Sequence, residues 1–335
     1  MKNFNRNRQY EIISIMDTIT VEHDNLDVMK AREVWEISRQ GEGNVVAILD
    51  TGIDVNHDNL SQNIIGGYNF TKDDGGDPDA YIDYDGHGTH VAGIIGAYKT
   101  STGRGLYGVA PKCKLLILKV LDQYGRGSYE QVVRAIQYAI NWTGPNGEKV
   151  NVINMSLGGR QPDESLHAAL KIARQKGIVL VSAAGNNGDG DPNSFEKSYP
   201  GYYKEVIQVG SVNANLEPSL FSNNNVNLDF VAPGENVYST HLNNRFVKLT
   251  GTSMAAPYVS GAIALILNIL KKREKPMIPY AVYHYLLTHA RKLDFSIYQV
   301  GNGLVQLTSQ DKRVIFRGLL TAAKKLEQRQ DIQLK

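Results

Sequence analysis

A chain of 335 residues is long enough for two domains at roughly 150 residues each, or for one large α/β unit. A hydrophobic share of 42% with 21% charged residues fits a chain with a real core and excludes disorder, collagen-like repeats and coiled coil. Lys and Arg (36) nearly balance Asp and Glu (34), too even a charge for a nucleic-acid binder, so no nucleic-acid partner is expected. The balance is uneven along the chain. Residues 1–10 carry Lys2, Arg6 and Arg8 with no acid, and residues 308–335 carry seven bases against three acids, so two basic ends flank a mildly acidic body. Charge runs of this kind are most often solvated termini.

In chain order, residues 12–16 form an apolar run too short for a secretory signal core, with no small-residue cleavage site after it. Cys113 is the single cysteine, so no internal disulfide forms and a cytoplasmic location is expected. From residue 44 onward, short β-branched runs alternate with helix-length amphipathic ones. Strands are expected over 45–49, 115–120, 150–155, 178–182 and 206–212, and helices over 27–37, 89–97, 128–141, 163–176, 252–272 and 279–289. This alternation predicts an α/β fold with a mainly parallel central sheet between helices, and Gly66-Gly67, Gly75-Gly76 and Gly158-Gly159 read as loops within it. The longest uncharged stretch, 249–270, is interrupted by Thr, Ser, Pro, Gly and Asn. It reads as a core helix and not a membrane span.

In such folds ligands gather where strands end and helices begin. Three junctions stand out: Asp50-Thr51-Gly52 after the first strand, His87 between glycines at a helix start, and Ser253 in Gly251-Thr252-Ser253-Met254-Ala255-Ala256-Pro257. A serine at a helix start is usually a cap. Here it has company, because Asp, His and Ser occur in one of the three known orders of a catalytic triad. Serine needs an imidazole to take its proton and a carboxylate to orient that imidazole, roles open to Ser253, His87 and Asp50. The developing oxyanion needs donors, and Asn186 in Ala184-Gly185-Asn186-Asn187 offers one beside the Ser253 N–H. His90, three residues after His87, lacks the i, i+4 partner and glutamate of a zinc helix and reads as a packed histidine.

These three motifs resemble the active-site signatures of the subtilisin-like serine proteases. The likeness runs from about residue 26 to 307 and is most similar to the intracellular subtilisins in 65–70, 142–148 and 185–191. The resemblance implies a three-layer subtilisin-like fold and a cytoplasmic serine endopeptidase acting through an acyl-enzyme on Ser253, with His87 as general base, Asp50 orienting it and Asn186 in the oxyanion hole. It also implies an extended substrate held between Gly125-Arg126-Gly127 and Ser156-Leu157-Gly158, with Ser198 at the base of a main pocket open to large apolar groups. Arg126 either adds a preference for acidic residues or is a solvated loop arginine. Met254 resembles the oxidation-prone methionine of the family.

Calcium is the expected cofactor, on Asp189, Asp191, Ser194 and Glu196. A second acidic run, 73–85, lacks EF-hand spacing and reads as a solvated loop. Asn59 stands where the family's frequent calcium site has an aspartate, and the 98–107 loop is lengthened. The chain is expected to divide into an N-terminal extension (1–25), a peptidase domain (26–307) and a basic tail (308–335); the extension stands where intracellular subtilisins carry a short inhibitory one, but Asn7-Arg8-Gln9-Tyr10 replaces their Leu-Ile-Pro-Tyr type segment. In the tail, Val314, Leu319, Leu320, Ala323 and Leu326 recur at helical spacing. The tail either packs on its own domain or, by resemblance, forms a homodimer. Two rival functions stay open: a catalytically silent binding protein of the same fold, and a peptide-processing enzyme that passes the acyl group to an amine.

Overall fold

The structure, a computed structural model, describes the backbone of residues 9–13 and all of residues 25–270 and 277–309. In chain order it contains β1 (Gln9–Ile13), α1 (Asn25–Val28), α2 (Trp35–Ser38), β2 (Val45–Asp50), β3 (Ile64–Asn69), α3 (His87–Gly96) and β4 (Lys114–Lys119). Then follow α4 (Tyr129–Asn141), β5 (Val150–Met155), α5 (Glu164–Gln175), β6 (Val179–Ala183), β7 (Ile207–Val212) and β8 (Phe230–Pro233). The remainder is β9 (Val237–His241), β10 (Arg245–Thr250), α6 (Thr252–Leu270), α7 (Ile278–His289) and α8 (Ile297–Val300). Seven strands form one sheet in the order β3-β4-β2-β5-β6-β7-β8, with every pair parallel.

The strand's period of two divides the core. Val46 and Ile48 of β2 join a cluster with α3, α6 and α7, whereas Val45, Ala47 and Leu49 join one with α4 and α5. The result is three layers, helices on both faces of a parallel sheet. Helix starts follow side-chain chemistry: Ser128 and Gln131 close a capping box ahead of α4, and Asp163 caps α5. α6 is the one described helix long and apolar enough to cross a membrane, but it is mostly buried between α3 and the sheet, as an all-apolar core helix must be.

Three local expectations change. The helix over 27–37 is broken into α1, a 3-10 turn and α2, because Lys30 takes a left-handed φ of 57° that a continuous helix does not allow. Gly66-Gly67 lies inside β3 and not in a loop. The Tyr81 ring covers Gly67 so closely that a Cβ there would sit 2.5 Å from the ring, and a glycine in a strand is what such close approach requires. The third change is a separate antiparallel sheet, β1-β10-β9, with Gln9 opposite Thr250 and Ile13 opposite Phe246. Its hairpin turns at Asn243 and Asn244, both at positive φ, which asparagine tolerates. The expected helix of the tail, residues 271–272 and residues 14–16 lie outside the described residues.

Asp229, ahead of β8, is a partly buried carboxylate that accepts hydrogen bonds from Gln208 N and Tyr283 Oη, both at 2.8 Å. Burial pushes its pKa up to about 6 from 3.8. The folded chain therefore binds this proton at a pH where the unfolded chain has lost it, so the contribution is present at low pH and fades as pH rises through about 6. Between pH 7.5 and pH 5 it amounts to about 1.4 kcal/mol. Denaturant unfolding of Asp229→Asn at both pH values should lack that increment relative to wild type. Parallel pH dependence in the two proteins would refute it.

Candidate active site

The three junctions converge at the carboxyl ends of the sheet strands. Asp50 ends β2 and is 1% exposed, and its Oδ1 accepts from Thr51 N at 2.8 Å and Thr51 Oγ1 at 3.3 Å. His87 opens α3, with its Nδ1 2.7 Å from Asp50 Oδ1. Close backbone approach makes this meeting possible: a Cβ at Gly88 would lie 2.2 Å from Gly52 O, so only glycine lets α3 seat against the Asp50 turn.

Ser253 is the second residue of α6, which packs on α3. Pro257 inside α6 has no N–H to offer the Ser253 carbonyl one turn earlier. Ser156 Oγ fills that place, donating to Ser253 O at 2.8 Å, and Ser253 Oγ in turn donates to Ser156 O at 3.1 Å. The serine is thereby fixed between a helix start and the end of β5.

Asn186 follows β6. Thr252 N (2.9 Å) and Thr252 Oγ1 (2.7 Å) both donate to Asn186 Oδ1, which assigns the amide oxygen inward and leaves Nδ2 as the donor on the Ser253 side, beside Gly251. Thr252 also accepts from Gly185 N at 3.1 Å. An aspartate–histidine pair, a serine at a helix N-terminus and an amide donor beside it, set at the ends of parallel strands, are the parts that acyl transfer needs.

Residues 41–310 match the model of the Subtilase family. The chain belongs to this family. It is 46% identical over 291 residues to the major intracellular serine protease of Bacillus subtilis (strain 168), a match spanning 86% of this chain and 89% of that protein. It is 42% identical over 304 residues to the intracellular serine protease of Paenibacillus polymyxa, spanning 90% of each chain. Thermitase from Thermoactinomyces vulgaris is 38% identical over 238 residues, or 71% of this chain and 79% of that one.

In this subtilase, Gly125-Arg126-Gly127 follows a turn in which Asp122 N donates to Arg126 O at 2.8 Å, and Arg126 lies over the exposed Tyr124 ring. Ser156, Leu157 and Gly158 leave β5, and the buried Ser198 packs against Gly158 and Gly185, so it sits between the segments after β5 and β6. Met254 is buried beside Ser253.

His90 is fully buried, its Nε2 2.9 Å from Val237 O, and burial with the neighbouring His87 lowers its pKa to about 3. It is a neutral packed histidine that ties α3 to the β9–β10 hairpin. Burial likewise pushes the Cys113 thiol up to about 12, which keeps it protonated and inert.

Among the described residues, no three His, Cys, Asp or Glu side chains are grouped to hold a metal ion. In the 188–196 loop, Asp189 Oδ1 accepts from Asp191 N and Ser194 Oγ, Asp191 Oδ1 accepts from Asn193, and Glu196 turns away to accept from Asn224 N. The three carboxylates of this loop are thus not gathered around one point. Asn59 donates from Nδ2 to Tyr98 O (2.6 Å) and Arg104 O (3.1 Å), so a neutral amide holds the lengthened loop.

Sequence reasoning passed over several residues that hold the site. Thr252 fastens Asn186, Thr51 fastens Asp50, and Lys119, which is fully buried, donates from Nζ to Thr51 O (2.7 Å) and pairs with Asp73 (3.0 Å). The acidic run 73–85 is thus used in part, and not merely solvated. A buried lysine in a strand of apolar residues was the available signal, since such a group must find a carboxylate.

Proposed function

We propose that this subtilase cleaves internal peptide bonds by nucleophilic attack of Ser253 Oγ, with His87 as general base, Asp50 orienting the imidazole, and Asn186 Nδ2 with the Ser253 N–H stabilising the oxyanion. The chain is a serine endopeptidase by its family and relatives. The observation that carries the residue assignment is the 2.7 Å contact between buried Asp50 and His87 at the mouth of the sheet. A carboxylate so placed fixes the imidazole tautomer with Nδ1 as donor and frees Nε2 to take the serine proton. A fluorophosphonate probe should label the N-terminally trimmed wild-type chain at Ser253 and leave the equally trimmed Ser253→Ala unlabelled. Absence of label on the trimmed wild type would support the silent binding protein instead. Product masses from a peptide library separate hydrolysis from transfer to an amine.

The substrate lies extended between 125–127 and 156–158, which favours main-chain recognition and broad tolerance, with the pocket at Ser198 taking large apolar groups. Arg126 adds a preference for acidic residues. In support, its guanidinium has no carboxylate partner among the described residues and stands at an exposed rim. Equal cleavage of matched acidic and basic library members by wild type and Arg126→Ala would remove that preference.

The location is cytoplasmic, supported by relatives named as intracellular. Residues 1 to about 20 act as an inhibitory extension. This is supported by the antiparallel pairing of β1, which sets Gln9 opposite Thr250, three residues ahead of Ser253. The 308–335 tail mediates a homodimer, and a monomer in sedimentation at micromolar concentration would refute it. Calcium is proposed as a structural ion on Asp189, Asp191, Ser194 and Glu196, which requires Glu196 to give up its bond from Asn224 N. Assaying full-length and N-terminally trimmed chain with and without chelator checks both remaining points: trimming should raise activity, and chelation should lower the thermal midpoint.

A further inference from the structure

The first turn of a helix exposes N–H groups that no earlier residue of the helix can accept. In α3 these belong to His87, Gly88 and Thr89, and each goes to a side chain outside the helix. His87 N donates to Asp85 Oδ1 (3.1 Å), Gly88 N to Thr51 Oγ1 (2.9 Å) and Thr89 N to Asp83 Oδ2 (2.9 Å). Asp83 is the hub. It is 3% exposed, its Oδ1 accepts from Asp85 N and Gly86 N at 2.9 Å each, and its Oδ2 also accepts from Thr89 Oγ1 at 2.7 Å. All four bonds bracket His87 in sequence, two before and two after. Thr89 Oγ1 in turn accepts from Asp54 N, four residues beyond Asp50, so the same carboxylate ties the histidine helix to the aspartate turn.

We propose that Asp83 is a positioning residue for peptide hydrolysis: its buried carboxylate locks the first turn of α3 and so holds His87 in register with Asp50. The proposal rests on the assignment of His87 as general base. A neutral side chain cannot do the same work, because an amide has one acceptor oxygen where four donors converge, and its NH2 would face the Thr89 or Gly86 N–H. The charge matters as well as the geometry. A helix N-terminus carries partial positive charge that disfavours imidazolium, and a buried carboxylate at that end offsets it. Among the described residues, the ionisable groups around His87 include Asp50 on β2, Asp85 before the helix, His90 one turn along α3, and His241 at the end of β9, whose ring packs on Gly86.

The test is steady-state kinetics across pH on Asp83→Asn and Thr89→Val, with thermal midpoints recorded to confirm folding. Asp83→Asn should lower kcat about 10- to 100-fold with KM changed less than about threefold, and should move the acidic limb of kcat/KM down by about half a unit. Thr89→Val keeps the carboxylate and removes one of its donors, so kcat should fall by a smaller factor while the acidic limb stays in place. A folded Asp83→Asn enzyme with wild-type kcat and an unmoved acidic limb would overturn the proposal, as would Thr89→Val matching Asp83→Asn in both. Fluorophosphonate labelling of the trimmed wild-type chain reports separately on the Ser253 assignment.

Discussion

Ser253→Ala should lower kcat by about 10⁶-fold, the size measured on a member of this family. The change removes the nucleophile and one hydrogen bond, Ser253 Oγ to Ser156 O. It leaves the Ser156 Oγ bond to the residue 253 carbonyl, so the break that Pro257 makes in α6 stays repaired. Fold and stability should therefore persist, with the thermal midpoint within a few degrees of wild type; loss of one net hydrogen bond is worth about 1 kcal/mol. Hydrolysis of a chromogenic peptide, corrected for folded protein, is the measurement. Residual activity above about 1% of wild type would show that Ser253 is not the nucleophile.

Asp50→Asn should lower kcat by about 10⁴-fold near neutral pH, with little change in KM. Asp50 Oδ1 serves three donors at once, Thr51 N, Thr51 Oγ1 and His87 Nδ1. An asparagine can keep its oxygen toward Thr51 or toward His87. If the NH2 faces Nδ1, the imidazole must accept there and carry its proton on Nε2, where it cannot act as base toward serine. Because the residue is buried at the end of β2, solvent cannot supply the missing acceptor. The loss should ease at high pH, where hydroxide substitutes for the base. A variant within tenfold of wild type at pH 7 would remove Asp50 from its role.

Most of the parallel sheet was legible because its strands are continuous β-branched runs bounded by helices with clear caps. Ser128 and Asp163 set their helix starts to within a residue. The elements that escaped had weak local signals. β3 carries two glycines in its middle, which reads as a loop until Tyr81 is seen lying on it. β9 and β10 are half polar and pair only with each other and with β1, so no run of core residues marks them. The 27–37 segment has helical periodicity, yet Lys30 leaves the helical region, and a turn of that kind in a lysine has no signature in composition.

The site shows the same division. Asp50, His87, Ser253 and Asn186 were singled out from sequence because the nucleophile, base, orienter and oxyanion donor proposed here must be specific residue types, and Asp50 and Asn186 follow strands while His87 and Ser253 open helices. What holds them was decided by distance in space. Ser156 reaches the Ser253 carbonyl across 97 positions, and Lys119 reaches Thr51 across 68. The acidic run before His87 looked solvated when taken as charge along a chain. In three dimensions Asp73 neutralises a buried lysine and Asp83 closes the first turn of α3. Chemistry restricts which residues can react and so is written locally. Positioning depends on which hydrogen-bond donors a fold brings to a buried carboxylate, and only the tertiary structure specifies that.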